Sequence, residues 1–260
     1  MTTPPTAPTK PRMIFASKTA QQIQFVLGGL KFTSRRLTAE EDLVYENVKM
    51  HANFMQLPRE RIEGTTKTLA VLLGHRTEAP LNPEWVAEHV NAQTESELMA
   101  YLRTGHTGPG LVLAPGHTFD LRQVELEIAD RFFTGPVLSY ADEARLSDAV
   151  ASSADIVDEL QDLQEGDMSP AQSREKGQQM ADQLLTIQRA GTDALAELLN
   201  ERDPGREAED YPGPVTGAWL LEHLTKDELT QLRAYLRTGE PAEADSPNAD
   251  PTPANLPISG

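Results

Sequence analysis

The stretch Trp85-Val86-Ala87-Glu88-His89-Val90, running on to Leu98-Met99-Ala100-Tyr101-Leu102-Arg103-Thr104-Gly105, returns later in the chain. There it reads Trp219-Leu220-Leu221-Glu222-His223-Leu224, running on to Leu232-Arg233-Ala234-Tyr235-Leu236-Arg237-Thr238-Gly239. The copies lie 134 residues apart (219 − 85), need no gap, and share about half their residues. Both tryptophans of the chain fall inside this unit. Trp, Tyr and a terminal Arg-Thr-Gly in step are hard to obtain from two unrelated helices, so the chain reads as an internal duplication. The expected fold is mainly α (α+β): two similar small bodies, each a β-hairpin plus about four helices, with disordered termini.

Each copy reads as helix, break and helix. Asn82 and Thr216 stand three residues before the tryptophan, where a side-chain oxygen can accept from a free helix N–H. Leu81 with Val86, and Val215 with Leu220, have hydrophobic-staple spacing. Thr94 with Glu97, and Thr225 with Glu228, match capping boxes that differ by one turn, which predicts a longer second helix in the second copy. Tyr101 and Leu102, like Tyr235 and Leu236, extend the apolar face begun at Leu98 and Leu232. Gly105 and Gly239 supply the left-handed residue that stops each helix. Trp85, Tyr101, Trp219 and Tyr235 are therefore expected to be structural anchors of two cores, with a partner groove between the helices as the alternative.

Upstream, Ile23-Gln24-Phe25-Val26-Leu27 and Leu30-Lys31-Phe32-Thr33 flank Gly28-Gly29, a hairpin signal. The same glycines lack the lysine and spacing of a phosphate loop. Thr38 and Glu41 match a capping box that opens a helix with Leu43, Val44, Val48 and Met50 as its expected buried stripe. Pro58 restarts a helix with Ile62, Leu69, Leu72 and Leu73 as core candidates, closed by Gly74. Val124 to Ile128, Phe132 to Thr134 and Leu138-Ser139 repeat the opening 101 residues on (138 − 37). Leu195 to Leu199 stands for Leu69 to Leu73. The expected organisation is a disordered segment 1–19, a first body 20–105, a Gly/Pro linker 106–119, a second body 120–239, and a disordered tail 240–260. The second body carries an acidic insertion around Ser152 to Gly177 that extends helices, with a break near Gly166 to Pro170.

Charge and composition narrow the function. The formal net charge of −17 over 260 residues repels phosphate backbones, so nucleic acid is excluded as a natural partner. Without cysteine there are neither disulfides nor thiolate metal sites. No apolar run reaches membrane-spanning length, and the start of the chain lacks a signal-peptide pattern. None of the six histidines has a second ligand at metal spacing, and no catalytic signature occurs, so no metal or cofactor is expected and the chain reads as a non-enzyme.

Phe25 to Glu41, with its Gly-Gly hairpin, Arg35-Arg36 and Leu37-Thr38 before a helix, resembles the start of tail assembly chaperones of tailed bacteriophages. The resemblance extends over residues 20–105 and, more faintly, 120–240, and this chain departs from it in its duplication and Pro-rich ends. It implies a protein of the host cytoplasm, leaving before the virion matures, that keeps the tape measure protein soluble until tail tube subunits polymerise around it. A tandem copy would add avidity along a repetitive client. The alternatives are a structural tail or adaptor protein kept in the virion, and a helical interaction module outside viruses. Phe25, Leu30 and Phe32 on the hairpin, with Phe54 and Met55 at the end of the first long helix, are the candidate partner contacts, because a small body has little room to bury them all.

Overall fold

Gly28 and Gly29, at φ +54° and +75°, give the two-residue turn whose twist matches the strands it joins. In the computed structural model they connect β1 (Gln22–Leu27) and β2 (Leu30–Arg35), paired antiparallel with Phe25 opposite Phe32. The described residues are 22–55, 58–105, 117–151, 170–208 and 211–241. The expected N-terminal segment, the expected tail beyond Pro241, most of the Gly/Pro linker and the first part of the acidic insertion lie outside them. Period-two alternation turns Ile23, Phe25, Leu27 and Phe32 to one face of the hairpin. Four helices cover that face: α1 (Ala39–Met55), α2 (Pro58–Gly74), α3 (Pro83–His89) and α4 (Ala92–Thr104). Ile62, Leu69, Leu72 and Leu73 are buried as expected.

The chain then runs through β3 (His117–Phe119), β4 (Gln123–Ile128), β5 (Arg131–Pro136), α5 (Tyr140–Ala151), α6 (Pro170–Asn200), a short 3-10 turn (Pro204–Glu207), α7 (Gly217–His223) and α8 (Lys226–Thr238). The fold among the described residues is thus mostly helical with small sheets. A second apolar cluster gathers Val124, Ile128, Phe133, Leu138, Leu195, Leu198, Leu199, Leu220 and Leu236. α6 begins at Pro170 and runs for 31 residues to Asn200, while the expected break from Gly166 to Ser169 lies outside the described residues.

Two arginines organise the joints. Arg76, just past α2, accepts the Thr33 N–H at its carbonyl (3.2 Å). Its guanidinium donates to the Leu72 carbonyl and to Glu41 Oε1 (3.0 Å), the capping residue of α1. Arg202, just past α6, makes the same set: it accepts from Thr134 N–H (2.8 Å), and it donates to the Leu198 carbonyl (2.9 Å) and to Asp142 Oδ2 (3.0 Å). Further bonds recur at positions the sequence pairs. Leu37 and Leu138 N–H donate to Leu102 and Leu236 (2.9 and 2.7 Å). The Tyr101 and Tyr235 hydroxyls donate to the Gln24 and Glu125 carbonyls, each at 3.0 Å.

Three local readings change. The N-cap of α4 is Asn91, whose side chain accepts from Thr94 N–H, not Thr94 with Glu97. Asn91 stands in step with Thr225, and both following helices have 13 residues, so the second is not longer. The box fails because Thr94 occupies the position where Glu228 closes the reciprocal bond to Thr225. Residues 117–119, expected as linker, form β3 and add to β1 in parallel, with Leu27 opposite Phe119. Finally, α5 packs on α2 and α3 and sends Tyr140 into the first core, so the halves meet through a shared surface.

The second hairpin turn places Ala129 and Asp130 at φ +46° and +64°, a conformation that crowds Cβ against the backbone. Ala129→Gly should raise stability by about 1 kcal/mol by relieving that strain, read as a higher urea midpoint at an unchanged m-value.

Candidate protein-interaction surface

The structure redistributes the candidate contacts. Phe25 and Phe32 are each only 1% exposed, and their rings stack at 4.8 Å between centroids. They are core residues, which corrects the expectation that a partner touches them: alternation aims both at the helices. Leu30 is half-buried against the same core. Phe54 and Met55 lie at the end of α1, and their side chains fall outside the described ones.

Among the anchors, Tyr101 is buried and Tyr235 half-buried. Trp85 and Trp219 sit half-buried at the rims of their cores, not inside them. Each ring stacks at 4.5 Å on the histidine one turn later, His89 or His223. That histidine's Nδ1 lies 2.8 Å from the tryptophan's own carbonyl. The repeated Glu-His pair thereby finds its role: the imidazole caps a carbonyl near the helix end and covers the indole. Gly28 fits beneath this stack, since a Cβ there would lie 2.3 Å from the His89 ring.

Sequence reasoning missed the outer face of α1. Three residues of its expected buried stripe face outward instead, Leu43 at 70% exposed, Val44 at 54% and Met50 at 60%, while Val48 is half-buried. The helix instead buries Tyr45, and Leu43, two residues away, falls on the opposite side. Polar contacts set this rotation. Glu41 must reach Arg76, and Tyr45 must reach Glu95. Val71 on α2 is also 61% exposed. The matching positions of α5 hold Ala144, Arg145 and Ala151, so this apolar face belongs to the first half alone.

Glu95 was also missed. It is buried on α4 and accepts from the Tyr45 hydroxyl, from the Tyr140 hydroxyl of α5, and from Lys49 Nζ at 3.2 Å. The Tyr140 N–H donates to the Val90 carbonyl (2.8 Å), completing the joint. A cavity of about 70 Å³ beside it is lined by Arg61, Thr65 and Ala92. Burial, reinforced by the carboxylate, pushes both phenols far above their ordinary pKa. Burial also pushes the Glu41 carboxyl upward, but Thr38 and Arg76 outweigh it and hold it below its usual range. With its oxygens bonded by three donors, Glu95 is arranged to fasten α5 to the first half. Its spacing gave a signal: Glu95 precedes Leu98 and Leu102 on the same helical face, and Leu229 is its counterpart in the second copy.

Among the described residues no three His, Asp or Glu side chains converge as a metal site, and no helix is long and apolar enough to cross a membrane. Comparison with protein-family models, curated proteins and solved structures gives no match.

Because Trp85 is half-buried, Trp85→Ala should cost about 1–3 kcal/mol, less than a fully buried ring, measured by chemical denaturation. Tyr140→Phe should cost about 1.5–3 kcal/mol at pH 8, since its hydroxyl bonds a charged acceptor. Both phenols titrate near pH 10.0 when unfolded and higher when folded, so their contribution is complete below that pH and is lost above it. The stability gap between wild type and Tyr140→Phe should therefore narrow as pH rises past 10, followed by denaturation at fixed temperature.

Proposed function

We propose that this protein is an assembly chaperone of a tailed bacteriophage. It binds the tape measure protein in the host cytoplasm, hands it to tail tube subunits, and is absent from the finished particle. The observation that supports a client-binding role is the outward apolar face of α1, where Leu43, Val44 and Met50 are offered to water beside acidic neighbours. A soluble chain exposes such side chains in a group where a partner covers them. An amphipathic client helix laid along α1 would bury them at roughly 25 cal/mol per Å² of apolar surface. The surplus of negative charge would keep the loaded complex dispersed. The hairpin followed by four helices agrees in order with the resemblance read from the sequence.

We also read the two halves as copies of one ancestral unit that have since diverged in task. The recurring arginine, tyrosine and tryptophan–histidine contacts support a common origin. Simple doubling of one binding face does not fit the Ala144, Arg145 and Ala151 of α5, so avidity is not the benefit we assign to the second copy.

Co-expression with the tape measure and tail tube proteins of the same genome should give a soluble complex that co-elutes in size exclusion. The double variant Leu43→Ser/Met50→Ser should weaken client co-elution about tenfold or more while leaving the far-UV spectrum and melting intact, because both positions face solvent. Clients that remain insoluble, or that elute apart from the wild-type chain, would sink the proposal.

A further inference from the structure

In the first half, the open side of β1 is occupied. β3 pairs there in parallel, and Phe119 inserts against Phe25 and Tyr101 at centroid distances of 5.8 and 5.6 Å. In the second half, β4 pairs with β5 alone among the described residues. The positions that match Phe25, Val26, Leu27, Leu98 and Tyr101 are Leu126, Glu127, Ile128, Leu232 and Tyr235. These five residues line a single groove of about 320 Å³. The groove therefore occupies the place that Thr118 and Phe119 fill in the first half. The burial follows: Phe25 and Tyr101 are buried, whereas Leu126 and Tyr235 remain half-exposed.

The edge is also prepared in its backbone. The pair flanking a two-residue turn exchanges both hydrogen bonds, so Ile128 and Leu126 direct their backbone groups at β5. Glu127 between them directs its N–H and C=O outward, as Val26 does opposite Thr118. The rim carries Glu127 and Glu228, both acidic. We propose that the β4–α8 groove takes an extended segment of a protein partner as an added parallel strand, with an aromatic side chain seated between Leu126 and Tyr235 and basic residues meeting Glu127 and Glu228. Strand addition of this kind draws affinity from main-chain bonds and selectivity from the pocket that receives the side chain. The intramolecular strand supplies the pattern: a small polar residue followed by Phe.

The inference rests on the client-binding reading only for the existence of a protein partner. Its probe is a fluorescent peptide carrying Gly-His-Thr-Phe between lysines, titrated into the full chain by anisotropy. Saturable binding is expected, weakened about tenfold or more by Phe→Ala in the peptide and by Glu127→Pro in the protein, because proline removes the outward donor while sparing the bonds to β5. Gln231→Trp, at an exposed position on α8 that lines the groove, should block it by bulk without touching the hairpin. Absence of saturation up to millimolar peptide, or binding indifferent to both variants, would overturn the proposal. Self-association abolished by Glu127→Pro would give the groove to a second copy instead. A tenfold gain in peptide affinity on Leu256→Asp/Ile258→Asp would give it to the chain's own tail. Client co-elution that survives while the peptide fails removes the groove alone. Peptide binding without co-elution supports the groove and removes only the phage client.

Discussion

The guanidinium of Arg76 is almost wholly withdrawn from water, and a charge in that position is tolerable only when its donors find acceptors. Its two terminal nitrogens find them on the last turn of α2 and on the capping acid of α1, its Nε is left without one, and its own carbonyl holds β2. One residue therefore fixes the distance and angle among a strand and two helices. Arg202 does the same for β5, α6 and α5. Removing either side chain would leave Glu41 without its cation, or Asp142 with only the longer contact to Arg145 (3.7 Å), and the helix end without its donor. The apolar clusters supply bulk cohesion, but these polar joints choose which packing of helices on hairpin is adopted.

Much of this was readable from residue spacing. The Gly-Gly turn, the alternation in β1 and β2, the caps at Thr38, Asn82 and Thr216, and the stops at Gly105 and Gly239 are local signals, and the folded chain uses each of them. What could not be read were choices settled by distant partners. The rotation of α1 depends on Arg76 and Glu95, which lie 35 and 50 residues away from Glu41 and Tyr45. An amphipathic pattern with apolar residues on two sides leaves such a helix free to turn either one inward. Asn91 outcompeted Thr94 as a cap because the helix gains a turn that carries Glu95 into the joint with α5. Comparing the copies position by position points to both arginines and to the unusual acid at 95, since these stand out once Arg76 aligns with Arg202 and Glu95 with Leu229.

That division also bears on the candidate surface. The first half turns its apolar helix outward and closes its sheet edge with β3. The second half turns the corresponding helix inward, against α2 and α3, and among the described residues leaves its edge open. Each half thus keeps one apolar feature uncovered, and the two features differ in kind: a helix face suits another helix, a strand edge suits an extended segment.

A chain whose sequence repeats one pattern in both halves runs a hazard while it folds, because α1 and α5 could each settle into the other's place. The Glu95 joint guards against that exchange. If α5 took the seat of α1, Leu146 would replace Tyr45, and if α1 took the seat of α5, Ala39 would stand where Tyr140 belongs. Either swap would strip a buried carboxylate of a hydroxyl donor, a penalty of roughly 1–3 kcal/mol or more for a charged group. The leucine at 229 imposes no such demand on its neighbours. A single acid, placed in one copy and absent from the other, gives the nascent chain a means of telling its two halves apart.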